Sequence, residues 1–170
     1  MDKGILKPEF WKVRLARANS MREPHRAVYE CTLEQWKNIE NEHRKVLRQT
    51  VMSDWSVLDI GCGYGRLLEI LPTSWKGEYL GVDASPDFIE MAEIDFYCYD
   101  FICSRIEEIT VPAVPFDLAI MISFRAMVVG NLGQAAWENI EKLLPLLAKR
   151  VLYLEYSAEE GSSQFVEHQY

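Results

Sequence analysis

Three glycines in five residues, Gly61, Gly63 and Gly65, lie inside the run WSVLDIGCGYGRLLEI from Trp55 to Ile70. Glycine lets backbone amides approach a ligand with no Cβ between them, and G-x-G-x-G spacing opens one turn repeatedly in this way. Two carboxylates accompany the turn. Asp59 stands two positions before the first glycine, and Asp83 ends the run EYLGVD. An ionised carboxylate only accepts hydrogen bonds, so such a pair suits a ligand with hydroxyls or positive charge. Asp83 is placed to accept from both hydroxyls of a ribose.

Asp59 discriminates between nucleoside ligands. A nicotinamide dinucleotide would bring a diphosphate to this turn, and two like charges about 4 Å apart cost roughly 4 kcal/mol at an effective dielectric of 20. S-adenosylmethionine brings an ammonium and a sulfonium instead, and a carboxylate attracts both. Arg66 also stands where a dinucleotide fingerprint places its third glycine. The residues therefore favour S-adenosyl-L-methionine as cofactor.

Positioning these groups requires a strand before each carboxylate and a helix after it. SVLDI, EYLGVD, FYCYD, FDLAIMIS and VLYLEYS read as five strands of the buried type. Between them, YGRLLEILP reads as a short helix stopped at Pro72. SPDFIEMAEI reads as a helix over 86–93, capped by Ser85 with Pro86 in its first turn. LGQAAWENIEKLLPLLAKR reads as a helix that Pro145 kinks or divides. Alternation of strand and helix predicts an α/β fold with a doubly wound, mainly parallel sheet of five strands or slightly more, helices on both faces. Before this unit, a helix is expected around 8–19. Another is expected from Thr32 to Gln49, where Thr32 and Gln35 have capping-box spacing and Leu33, Trp36, Ile39, His43, Val46 and Leu47 recur with helical period. The expected division is a helical lid or extension over 1–50, the cofactor-binding unit over 51–157 and a polar tail over 158–170.

The bulk numbers fit one globular domain: 170 residues, 49% hydrophobic and 26% charged. Eighteen basic against 26 acidic residues give a net charge of −8, which argues against unassisted binding to a phosphate backbone. Cys31, Cys62, Cys98 and Cys103 form no C-x-x-C pair, and His25, His43 and His168 are scattered, so no metal site is legible. Reduced thiols, no leader segment and no apolar run of membrane-spanning length together make cytoplasmic localisation the expectation.

VLDIGCGYG followed by YLGVDAS and FDLAIMIS resembles the class I S-adenosylmethionine-dependent methyltransferases over roughly residues 55–157. The resemblance implies a Rossmann-like fold and a role for each matching position. Gly61, Cys62 and Gly63 would line the methionine moiety, with Asp59 near its amino group. Asp83 would hold the ribose, and Ala84 and Ser85 would flank the adenine. Asp100, taken to follow the third strand, would meet the adenine amino group, with Phe101 beside the ring. Ile122 and Ser123 would face the methyl group. Candidates around the acceptor are His25, Tyr29, Ser123 and Arg125, then Glu155 and Tyr156.

The chain departs from that family at its end. Members usually carry two more strands, and here the sheet is expected to stop at Val151–Tyr156, leaving an edge through which a homo-oligomer could form. Methyl transfer is an in-line displacement that needs chiefly a well-placed nucleophile, so no triad is required. The fourth strand leads into Ser123-Phe124-Arg125-Ala126. It lacks both the proline-rich element of amino-methylating DNA enzymes and the Pro-Cys pair of cytosine C5 enzymes. The expected function is methyl transfer to oxygen or nitrogen of a small-molecule acceptor. The alternatives are a non-catalytic cofactor-binding module working through a protein partner, or an RNA or protein methyltransferase docking through its basic first 30 residues.

Overall fold

The computed structural model describes residues 12–16, 32–157 and 162–170. Residues 12–16 form a helical turn, and α1 spans Leu33–Thr50. At its start, Thr32 and Gln35 close a reciprocal capping box. Its buried side chains are Trp36, Ile39, His43, Val46 and Leu47. Val46 and Leu47 pack into the same core as the central strands. Residues 33–50 thus pack onto the body of the fold.

The strands and helices then alternate: β1 Val57–Ile60, α2 Arg66–Ile70, β2 Tyr79–Asp83, α3 Pro86–Asp95, β3 Asp100–Cys103, a 3-10 turn Ile106–Glu108 and β4 Leu118–Ile122. After these come α4 Phe124–Leu132, α5 Gln134–Glu141, α6 Leu144–Leu147, β5 Arg150–Ser157 and β6 Ser162–Gln169. The sheet order is β3-β2-β1-β4-β5-β6. All neighbours pair in parallel except β5 with β6. The order reverses between β1 and β4, and there a crevice opens beyond the carboxyl ends of the strands.

Period-two alternation distributes the apolar strands to two cores. Leu58, Ile60, Ala119, Met121, Val151 and Tyr153 face one layer, with Val128 of α4, Trp137 and Ile140 of α5, and Leu144 and Leu147 of α6. Val57, Tyr79, Leu118, Ile120, Leu152 and Leu154 face the other, with α1 and α2. Each face buries apolar surface worth about 25 cal/mol per Å², so neither helix layer is dispensable. The long helix expected from Leu132 onward divides as its composition suggests. Gly133 breaks it at φ 86°, and Pro145 opens the short α6.

Two expectations are corrected. The third strand is not Phe96–Asp100 but Asp100–Cys103, paired with Leu80–Asp83. Helix α3 runs on to Asp95, and Phe96 and Tyr99 close successive turns onto Ala92 and Phe96 carbonyls. Of the aromatic residues that looked strand-like, Tyr99 stacks on Trp75 at 6.3 Å and meets Tyr79 edge-on at 5.7 Å, Phe96 lies over Gly65, and Tyr97 is exposed. The second correction concerns the tail. Residues 162–169 form β6, antiparallel along the whole of β5. Arg150 binds Glu167 across that pair at 3.2 Å, and Tyr153 meets His168 edge-to-face at 5.5 Å. The edge of β5 expected to support an oligomer is therefore covered. The polar run SSQFVEHQ hides a strand because an outer strand needs few apolar side chains.

Candidate functional site

A cavity of about 350 Å³ opens at the switch point. Asp59 to Tyr64, Arg66 and Leu67 supply one wall, Val82 to Ala84 the next, and Ser104 to Glu107 a third. Ile122 and Ser123 close the end of β4, and Phe124, Met127, Val128, Asn131 and Leu132 of α4 form the far side.

The glycine turn is built for close approach. Gly61 has φ +76°, and a Cβ there would lie 2.6 Å from the Phe124 ring, so this glycine admits α4 to the turn. Gly63 has φ +55°, and a Cβ there would meet nothing within 4 Å, which leaves its backbone facing open space. Below the turn, Gly81 admits both the Phe101 ring and the Cys62 sulfur, each of which would lie under 3 Å from an added Cβ.

Asp83 ties two elements together. Its Oδ2 accepts from the Gly63 N–H at 3.0 Å and its Oδ1 from the Ser85 N–H at 2.8 Å. Burial raises its pKa, and the amides of Ser85, Gly63 and Ala84 oppose that rise. Asp59 is buried, 2% exposed, and accepts from the Tyr79 hydroxyl at 2.8 Å. Burial pushes its carboxyl up to about 7. The Tyr79 bond opposes this, the Asp83 charge adds to it, and the Arg66 charge opposes it. Burial also holds Tyr79 far above the ordinary phenol range, so it remains a donor. The Cys62 thiol is pushed far up by burial and then by Asp59 and Asp83, which makes it a wall and not a nucleophile.

Of the residues expected at the site, Asp59, Gly61, Cys62, Gly63, Asp83, Ala84, Ile122 and Ser123 line this cavity. Ser85 does not. It is buried and meets the site only through its N–H on Asp83. Asp100 and Phe101 do not line it either. Asp100 begins β3, so it stands at the amino end of the strand, opposite the cavity. Phe101 packs edge-on against Tyr79 at 5.6 Å and over Gly81. The positions that follow β3 are Ser104, Arg105, Ile106 and Glu107, which the shifted strand boundary concealed. Arg125 is exposed and its guanidinium lies over the Trp137 ring at 5.7 Å. Glu155 is half-buried near Arg125 and Ala126, off the cavity wall. His25 and Tyr29 lie outside the described residues. Sequence reasoning passed over Tyr79, whose position two residues after Gly77 carried no sign that its hydroxyl would reach Asp59. It placed Phe124 and Arg125 just after the fourth strand but did not expect the helix α4 that they begin.

A doubly wound sheet, with a glycine turn and paired carboxylates at its switch point, defines a Rossmann-like nucleoside-binding fold. A family model described as "Methyltransferase domain" matches residues 57–145, just over half of the chain. The chain belongs to that family, the class I S-adenosylmethionine-dependent methyltransferases. It is 41% identical over 54 residues to the Mycobacterium tuberculosis (strain ATCC 25618 / H37Rv) protein Rv1506c, named as a methyltransferase, a match covering 29% of this chain and 32% of that one. Two solved structures share the fold. The PH0226 protein from Pyrococcus horikoshii OT3 has a TM-score of 0.61 at 20% identity, with 76% of this chain and 57% of that one covered. The plantazolicin methyltransferase BpumL, in complex with a monoazolic desmethylPZN analog and SAH, has a TM-score of 0.56 at 20% identity, with 89% and 61% covered. The chain spans about a third of the curated relative and about three fifths of these two structures. Among the described residues no helix is long and apolar enough to cross a membrane.

Proposed function

We propose that this chain binds S-adenosylmethionine in the switch-point cavity and transfers its methyl group to oxygen or nitrogen of a small acceptor. One observation carries the reading. Two carboxylates, Asp59 and Asp83, converge on a glycine turn whose middle glycine leaves open space above the backbone. That pair of acceptors repels a diphosphate and fits a cationic nucleoside. The BpumL structure, described with SAH, supports the same reading.

The cofactor supplies an electrophilic methyl carbon on positive sulfur. The chain's own residues bind and orient. Asp59 attracts the ammonium, Asp83 accepts from ribose hydroxyls, and Ser104 to Ile106 take the adenine side that Asp100 and Phe101 were expected to occupy. Ile122 and Ser123 bound the methyl. The acceptor side is dominated by Phe124, Met127, Val128 and Leu132, with Asn131 as its polar group. That wall suits a largely apolar acceptor with one reactive heteroatom, and holding it in line supplies much of the rate. A net charge of −8 weighs against nucleic acid as acceptor.

Calorimetric titration with S-adenosylmethionine tests the binding step, and slow release of the demethylated product tests the transfer. In Asp83→Ala the affinity is expected to fall about 10- to 100-fold, since an orphaned polar partner costs about 1–3 kcal/mol. Unchanged affinity in a folded variant means that the ribose lies elsewhere.

A further inference from the structure

We propose that Tyr79 is a positioning residue of the cofactor site: the aromatic cluster at the β2–β3 edge holds its hydroxyl on Asp59 and so readies that carboxylate for the cofactor's ammonium. The inference rests on the cofactor reading above and goes beyond it. Tyr79 opens β2 opposite Val57, and Asp59 lies two residues further along β1, opposite Gly81. Period two puts these four residues on one face of the sheet. The Tyr79 side chain runs along that face toward the glycine turn, and its hydroxyl donates to Asp59 Oδ2 at 2.8 Å. Both residues are buried, and a buried phenol and a buried carboxyl each cost free energy until they are paired. Tyr79 does not line the cavity, so it acts through Asp59, which does.

Neighbouring rings fix that side chain. Phe101, on the adjoining β3, meets Tyr79 edge-on at 5.6 Å and fills the space that Gly81 leaves open. Tyr99 meets it edge-on at 5.7 Å, and Trp75 stacks on Tyr99 at 6.3 Å. The aromatic run FYCYDF thus reaches the site through Tyr79, although none of its rings lines the cavity. A hydroxyl donated to a carboxyl favours the ion over the acid. Burial and the Asp83 charge work the other way on Asp59, and the Arg66 charge from α2 works with Tyr79. The Cys62 thiol of the turn stays protonated, β4 sets apolar Ile120 opposite Asp59, and α1 places His43 and Glu40 on Arg66. Burial keeps Tyr79 protonated too, so it remains a donor. Removing its hydroxyl changes none of these charges.

The test titrates the Asp59 carboxyl by carbon NMR in the unliganded protein, with Asp59→Asn to assign its signal. In Tyr79→Phe, which keeps the ring, the midpoint should rise by about one to two pH units, the worth of a hydrogen bond to an ion. Calorimetry with S-adenosylmethionine should then find the affinity lower by about five- to fiftyfold at pH 7. That gap should close as pH rises through the variant's midpoint. Tyr99→Ala, at an exposed position, should move the midpoint the same way by less, and should add nothing in the Tyr79→Phe background. It also serves if Tyr79→Phe does not fold. An unchanged midpoint in Tyr79→Phe would overturn the proposal. So would a loss of affinity equal at every pH, which marks a merely structural role. A Tyr99→Ala shift that persists without the Tyr79 hydroxyl would remove the aromatic cluster from the argument. Failure of wild type to bind, with the midpoint shift present, would instead overturn the cofactor reading itself.

Discussion

Asp59 has an unusual balance for a surface-cleft carboxylate. Burial holds its proton until about pH 7, while Tyr79 and Arg66 favour the ion. In the free protein it is therefore about half charged at neutrality. An arriving ammonium favours the charged form and lowers its pKa, so binding expels a proton below pH 7. Cofactor affinity should rise about five- to tenfold from pH 6 to 7.5 and then level. Calorimetry in two buffers of different ionisation enthalpy would read the proton release, and a flat profile would place the ammonium elsewhere. The same raised pKa has the opposite effect on stability. The unfolded chain gives up this proton near pH 4 while the native state keeps it, so stability falls as pH climbs from about 4 to 7. Asp59→Asn should accordingly melt higher than wild type at pH 8, with little difference at pH 4, while binding cofactor more weakly. Thermal melts at both pH values check it. Gly61 makes a second residue-scale case. Alanine there would take up a left-handed φ and press on the Phe124 ring. The expected cost is about 1–3 kcal/mol of stability, together with displacement of α4 from the cavity. Denaturant titration measures the first and acceptor-independent cofactor turnover the second.

At the scale of elements, β6 decides how the sheet ends. Its eight residues pair along all of β5, and it leaves β3 as the open edge, with Ile102 42% exposed. Removing residues 158–170 would strip hydrogen-bond partners from β5, whose Val151 to Leu154 are fully buried. An uncovered apolar strand recruits another. The shortened protein is expected to run as dimers or larger species in size-exclusion chromatography, where the full chain does not associate through this edge. A monomeric, equally stable product would show that β6 contributes little. Helix α1 works at the same scale. It lies outside the glycine-and-carboxylate motif, yet it covers one face of the sheet and sets His43 2.9 Å from Arg66 Nη2.

For the molecule as a whole, one topological fact places the site. The chain leaves the sheet centre in one direction through β2 and β3, then returns to the other side of β1 through β4 and β5. Helices depart to opposite faces at β1 and β4, and the cavity is the space between them. Alternation of strands and helices, the glycine spacing and the two carboxylates were legible in the sequence because each depends on near neighbours along the chain. Near-continuous apolar runs told VLDI and LAIMI as inner strands, and the Thr32–Gln35 pair told the start of α1. What the sequence could not determine was pairing between distant segments. β3 begins four residues later than its aromatic content suggests, because Phe96 to Tyr99 form a turn in which Tyr99 packs on Trp75 and Tyr79 and Phe96 lies over Gly65. That shift removes Asp100 from the site and brings in Ser104 and Arg105. β6 reads as polar tail because its stability comes from hydrogen bonds to β5 and not from its own side chains. The Tyr79–Asp59 and Arg66–His43 bonds join residues 20 or more positions apart, and only the folded chain brings them within 3 Å. Local periodicity set the kind of fold and the kind of ligand; tertiary packing decided which side chains reach it, because contact and burial depend on neighbours the linear order does not contain.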